Sequence, residues 1–174
     1  KFHSFDNTTM ITGSQYQREL LNGMMIVGRD NAPKNLPKWS VQVGDVIIDM
    51  ETGVRKLATP DYFAINPIPW ELGDYEETPV IDGLFEAWVG KEYVQTLYEI
   101  VAYCMLSNYP IHRVFCLVGG GLNGKGSFLN LLTNFIGLEN TTSSDLDSLT
   151  SSGNRFETSK LWMKLVCQMG ETDF

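Results

Sequence analysis

Residues 114–136 read V-F-C-L-V-G-G-G-L-N-G-K-G-S-F-L-N-L-L-T-N-F-I. Val114 to Val118 is an unbroken apolar run, the pattern of a strand buried on both faces. Gly119 to Gly126 is rich in glycine, and Phe128, Leu131, Leu132, Phe135 and Ile136 then recur at helical spacing. Strand, glycine loop and helix in that order are the context a phosphate-binding loop requires.

The spacing Gly119-x-x-x-x-Gly124-Lys125 fits the Walker A pattern. Glycines let the backbone turn its N–H groups inward around a polyphosphate, and the helix that follows offers its positive N-terminal end to the same anion. Lys125 then places a point charge against the β- and γ-phosphates. Gly119, Gly121, Asn123, Gly124, Lys125, Gly126 and Ser127 are the expected nucleotide-binding residues. Gly126 stands where the pattern has Ser or Thr, and Ser127 comes one place later. That hydroxyl ordinarily ligates Mg²⁺, so either Ser127 takes over on a shifted backbone or metal binding is weakened. The competing reading of the string is a glycine-rich turn with Lys125 simply solvated.

A phosphate loop that hydrolyses its nucleotide takes an acid from the end of a neighbouring strand. Leu161 to Met169 reads as that strand, with Glu171 and Asp173 just past its end. Lys125 and Glu171 are the expected catalytic residues, and Ser127, Glu171 and Asp173 the expected metal ligands, with ATP and Mg²⁺ as cofactors. The alternative for Glu171 is an exposed loop carboxylate, as most are.

Working outward, Gln15 to Gly28 predicts a short helix, with Tyr16, Leu20 and Leu21 on one side. Val41 to Met50 alternates enough for one strand, Glu51-Thr52-Gly53 is a turn, and Val54 to Leu57 a return strand. Residues 66–79, with Pro67, Pro69 and Pro79, read as a surface connection. Leu84, Phe85, Trp88 and Val89 form one amphipathic helix; Val94 to Met105 carries a second, ending before Tyr109-Pro110.

The 174 residues carry 13 basic and 21 acidic side chains, a net charge of −8. That balance argues against a free-standing nucleic-acid binder, whose surplus is basic. The acid is uneven: residues 1–99 hold 8 basic and 15 acidic residues, residues 100–174 hold 5 and 6. No apolar run approaches the roughly 20 residues of a membrane span. Cys104, Cys116 and Cys167 each lie inside an apolar stretch, which predicts reduced core thiols in a reducing compartment. Trp39, Trp70, Trp88 and Trp162 read as core or interface anchors, since no basic residues interleave with them. The chain starts at Lys1 without methionine and stops just past an apolar run, so it is expected to be a piece of a longer polypeptide.

The string Gly119 to Leu132 resembles the Gly-x-Gly-x-Asn-Gly-Lys-Ser/Thr loop of the superfamily 3 helicases, closest to the poxvirus, phage and archaeal-plasmid primase–helicases. Asn123 before Gly124-Lys125 is the discriminating residue. Val43 to Gly53 resembles a segment upstream of that helicase core, and Thr78 to Phe85 the stretch that follows it. Residues 94–107 sit where the family has a helix ahead of the loop's strand. Arg155-Phe156 and Leu161 to Glu171 resemble the approach to the Walker B acid. Three departures stand out: Asp45 for the family's asparagine, Gly126 for the hydroxyl residue, and Glu171 alone where many relatives have two adjacent carboxylates.

The resemblance implies an α/β fold. Residues 111–174 would be the N-terminal half of a P-loop NTPase core of AAA+-like type, cut after the Walker B strand. Residues 41–110 would be a small α+β or helical pre-helicase (collar) region, and residues 1–40 the tail of an upstream region. It further implies an ATP-driven DNA helicase motor of a replication protein, forming a homo-hexamer on single-stranded or forked DNA, with a primase domain in the same polypeptide and no membrane. The setting would be cytoplasmic, in the host cell if the source is viral or plasmid. The sensor asparagine, arginine finger and DNA-contacting hairpin would fall beyond Phe174. Two other classes stay open. A small-molecule P-loop kinase would need an arginine-rich lid, and residues 137–174 hold only Arg155. A non-hydrolysing nucleotide-binding scaffold would follow if Gly126 removes productive Mg²⁺ binding.

Overall fold

The computed structural model describes residues 14–28, 33–150 and 156–170. The fold is mixed α/β with small parallel and antiparallel sheets. In chain order the elements are α1 (Ser14–Gly28), β1 (Lys34–Asn35), β2 (Ser40–Val43), β3 (Val46–Asp49), β4 (Arg55–Leu57), β5 (Tyr62–Phe63), α2 (Pro79–Val89), α3 (Val94–Cys104), α4 (Lys125–Ile136), β6 (Thr141–Ser144), α5 (Leu146–Thr150) and β7 (Val166–Met169). No helix among the described residues is long and apolar enough to cross a membrane.

The segment expected to be one strand, Val41 to Met50, folds back on itself. β2 and β3 pair antiparallel from Ser40↔Asp49 to Val43↔Val46, around the two-residue turn Gly44-Asp45, and β4 adds antiparallel to β3. Gly44 takes φ 54°, and a Cβ there would sit 2.8 Å from the Trp70 carbonyl oxygen. Glycine is therefore required twice over, for its torsion and for the close approach. Asp49 closes the second turn by accepting from the amides of Glu51 and Thr52.

Residues 66–79 are more than a surface connection. Ile68 is fully buried and bridges Val43, its amide donating to Gln42 O while Gly44 N donates to Ile68 O. Val41, Val43 and Ile68 pack with Leu132 and Ile136 of α4, so the hairpin and the helix share one core. Asn140, also buried, ties the same region: its Nδ2 donates to Pro67 O and Ile136 O, and its Oδ1 accepts from Asn66.

A second core lies between α2, α3 and α4, as the helical periodicity predicts. Phe85, Leu97 and Phe128 are its buried residues. The Phe85 ring lies 4.9 Å from Tyr98 and 5.9 Å from both Trp88 and Phe128. Phe85 is 1% exposed and sits on all three helices' contact, so Phe85→Ala is expected to cost about 3–5 kcal/mol. Chemical denaturation checks this; a cost under about 1 kcal/mol would mean the three helices do not share a core.

Two strand expectations need correction. Val114 to Val118 is neither paired nor buried on both faces: Val114 is 80% and Val118 91% exposed, and no backbone hydrogen bond joins residues 114–118 to the described residues. Only Leu117 reaches the second core, while Phe115 lies edge-on to Tyr103. An apolar run states a need for cover but does not name a partner strand. The partner available to β7 is instead β6, the polar Thr-Thr-Ser-Ser segment, in parallel register from Thr141↔Val166 to Ser144↔Met169. β7 is accordingly shorter than the Leu161 to Met169 expected, because Glu157–Leu161 forms a 3₁₀ turn. Its Glu157 accepts from Lys160 at 2.7 Å and from Ser144, which joins this turn to β6 and holds the Glu157 carboxyl below the usual range. The thiols differ as well. Burial pushes Cys104 up to about 11, whereas Cys116 is exposed rather than a core thiol.

Candidate functional site: the loop before α4

α4 is closed at one end and open at the other. At its C-terminus, Trp70 Nε1 donates to Asn134 O (3.1 Å) and Phe135 O (2.9 Å), and Asn140 takes Ile136 O. Orphan carbonyls of the last turn are thus satisfied. At its N-terminus the cap residue is Gly124, with φ 86° and no side-chain cap, and the amides of Lys125, Gly126 and Ser127 have no partner among the described residues. Free amides and the positive end of a 12-residue helix dipole meet at one place, which favours an anion there.

The loop leading in is built to turn inward. Gly121 (φ 97°), Leu122 (φ 49°) and Gly124 (φ 86°) all adopt left-handed torsions. Leu122 pays strain for this as a branched residue, and its side chain projects fully into solvent. Lys125 arches back over the loop: Nζ donates to Gly119 O and to Asn123 Oδ1, each at 2.9 Å. The Asn123 side chain in turn lies directly on Gly119, where no side chain would fit. Lysine, asparagine and first glycine therefore close the loop on itself at the N-terminal end of α4.

Beside the loop, on the side of α2, lies an open cleft of about 240 Å³. Asn123, Gly124 and Lys125 form its polar side; Trp88, Val118 and Phe128 are among its apolar walls. Trp88 packs on the loop itself, so that a Cβ on Gly124 would come within 2.5 Å of Trp88 Nε1. Reasoning from sequence placed Trp88 only as an anchor. Its role in backing the loop has no signal in the sequence beyond helical spacing, because the contact is across some 36 residues.

The structure brings Gly119, Asn123, Gly124 and Lys125 together, with Gly126 and Ser127 following in the first turn of α4. β7 is docked on the same helix by Gln168, whose Nε2 donates to Leu129 O (2.9 Å) and Thr133 Oγ1 (2.8 Å). Leu165 N, at the start of β7, donates to Asn140 O just past the end of α4. β7 hence runs opposite to α4, and its C-terminal end points to the helix end that carries the loop. Glu171 and Asp173 lie outside the described residues, as does Arg155.

The loop's half of a magnesium site does not fit. At about 100° per residue, position 126 lies about 20° around α4 from Thr133, the residue that meets β7. Ser127 lies about 120° from Thr133 and only about 20° from Asn134, and both Ser127 and Asn134 are exposed. Gly126 and Ser127 are both exposed, but the position nearer β7 is Gly126, which carries no ligand atom and has open space around it, while Ser127 lies away from that strand.

Compared with known proteins, the chain matches no family model and no curated protein.

Proposed function

We propose that the chain binds a nucleoside triphosphate, ATP in the first instance, in the loop Gly119–Ser127, and belongs to an ATP-driven DNA helicase motor of the superfamily 3 type. The observation that carries the reading is the closed loop: Lys125 folded onto Gly119 O and Asn123 Oδ1 in front of the free amides of α4. On this reading the amides of residues 124–127 take phosphate oxygens, Lys125 exchanges its loop partners for the β- and γ-phosphates, and Asn123 holds the loop in shape. The direction of β7 supports Glu171 as the acid that activates water. The P-loop core, the hexamer and the DNA strand in its channel belong to the same proposal.

The discriminating experiment is ATP hydrolysis by the protein with its natural termini, with and without single-stranded DNA. DNA-stimulated turnover that disappears in Glu171→Gln supports the motor. ATP bound tightly without turnover, with or without DNA, would replace it by the nucleotide-gated scaffold, the reading that the glycine at position 126 favours.

A further inference from the structure

We infer that this loop captures its triphosphate without a metal ion held by the loop: the positive charge comes from Lys125 and the helix amides alone. The inference rests on the nucleotide-binding reading and concerns capture, not turnover.

Three observations meet at one position. First, the residue after Lys125 is a glycine, so the stripe of α4 that faces β7 begins with no ligand atom. Second, Ser127 shares its stripe of α4 with exposed Asn134 and lies about one-third of a turn from the β7 side, to which position 126 is nearer. A rotamer change swings a hydroxyl by an ångström or two; it does not carry it around the helix. Sliding the helix register to bring Ser127 across would displace Phe128 from the core it shares with Phe85 and Leu97. Third, the compensating charge is already assembled: unpartnered amides at 125–127, the end of a long helix, and an ammonium tethered only to loop acceptors that a phosphate can replace. The ligand class is thus a polyphosphate recognised as a bare anion, with the metal contributing nothing through the loop.

Gly126 has nothing within 4 Å of where a Cβ would stand and an ordinary helical torsion, so a small side chain is tolerated there. The test is calorimetric titration of ATP into the intact protein, once in excess Mg²⁺ and once in EDTA, for the wild type, Gly126→Ser, Gly126→Ala and Lys125→Ala. Wild type and Gly126→Ala are expected to bind ATP with affinities that differ less than about threefold between the two conditions. Gly126→Ser, which restores a hydroxyl on the β7 side, is expected to bind about 10-fold or more tightly in Mg²⁺, since even the residues that orient a metal's ligands contribute about 10- to 100-fold. Wild-type binding that tightens about 10-fold with Mg²⁺, or a Gly126→Ser variant that folds and stays indifferent to it, would overturn the inference. Failure of the underlying reading looks different: Lys125→Ala would then bind ATP as the wild type does, or the wild type would bind none in either condition.

Discussion

On the proposed reading, Lys125→Ala is expected to weaken ATP binding by about 10- to 150-fold while leaving the fold intact. The magnitude follows from the loss of one charge-assisted hydrogen-bonding group, about 1.5–3 kcal/mol, at about 1.4 kcal/mol per tenfold in affinity. Stability is spared because the Lys125 ammonium bonds only Gly119 O and Asn123 Oδ1 within the loop and none of the core residues. Surface changes of that kind stay within about 0.5 kcal/mol. Calorimetric titration and thermal melting check the two halves together. A variant that melts with the wild type and binds ATP equally well would remove Lys125 from the site.

The second large effect is expected at Gly124. Its φ of 86° is left-handed, and a Cβ there would stand 2.4 Å from the Trp88 indole. Gly124→Ala pays about 1–2 kcal/mol for placing an L-residue there and about 1–3 kcal/mol for crowding the indole. The two parts are separable. In a Trp88→Leu background the crowding is relieved, so adding Gly124→Ala should cost only the backbone part, about 1–2 kcal/mol. Denaturant unfolding of the four members of this cycle measures the coupling. Strict additivity would show that α2 does not back the loop, and that the loop's shape is held from elsewhere.

These two residues also show where the sequence was legible. Glycines and the lysine at fixed spacing announce a backbone shape directly, because only glycine enters left-handed torsions freely; the structure supplies those torsions at Gly121 and Gly124. The helices were legible for a similar reason: Phe128, Leu132 and Ile136 repeat at the spacing that buries one face of α4, as Phe85 does with Ile81 and Trp88 in α2 and Leu97 with Val94 and Val101 in α3. Strands were not, because a strand is defined by its partner. Val114 to Val118 has the composition of a central strand and no pairing among the described residues, whereas Thr141–Ser144 has a loop's composition and pairs with β7. The Val-Gly-Asp-Val string at 43–46 hid a turn inside an alternating run, which a glycine tightly packed under Trp70 makes possible. Ile68 and Asn140 were illegible as well: one apolar residue among prolines and one asparagine after a helix are fixed in the core by partners distant in sequence, Val43 for the first and Asn66 and Pro67 for the second.

At the site, the sequence revealed which residues form the loop but not how they face. That Ser127 lies away from β7 and Gly126 nearer to it depends on the rotation of α4, which is fixed by Phe128 in one core and Gln168 on the other side. The order of residues alone leaves both hydroxyl placements open.

On the proposed reading, the loop Gly119–Ser127 seats a nucleotide's phosphates. The most direct measurement is backbone amide chemical-shift mapping of the protein on titration with ATP, alongside the same titration with adenosine. ATP is expected to move the amides of Gly120, Gly121, Gly124, Lys125 and Gly126 most, with shifts that saturate together, and adenosine to leave them in place. Shifts centred elsewhere on the molecule, or an ATP titration that moves none of these amides, would contradict it.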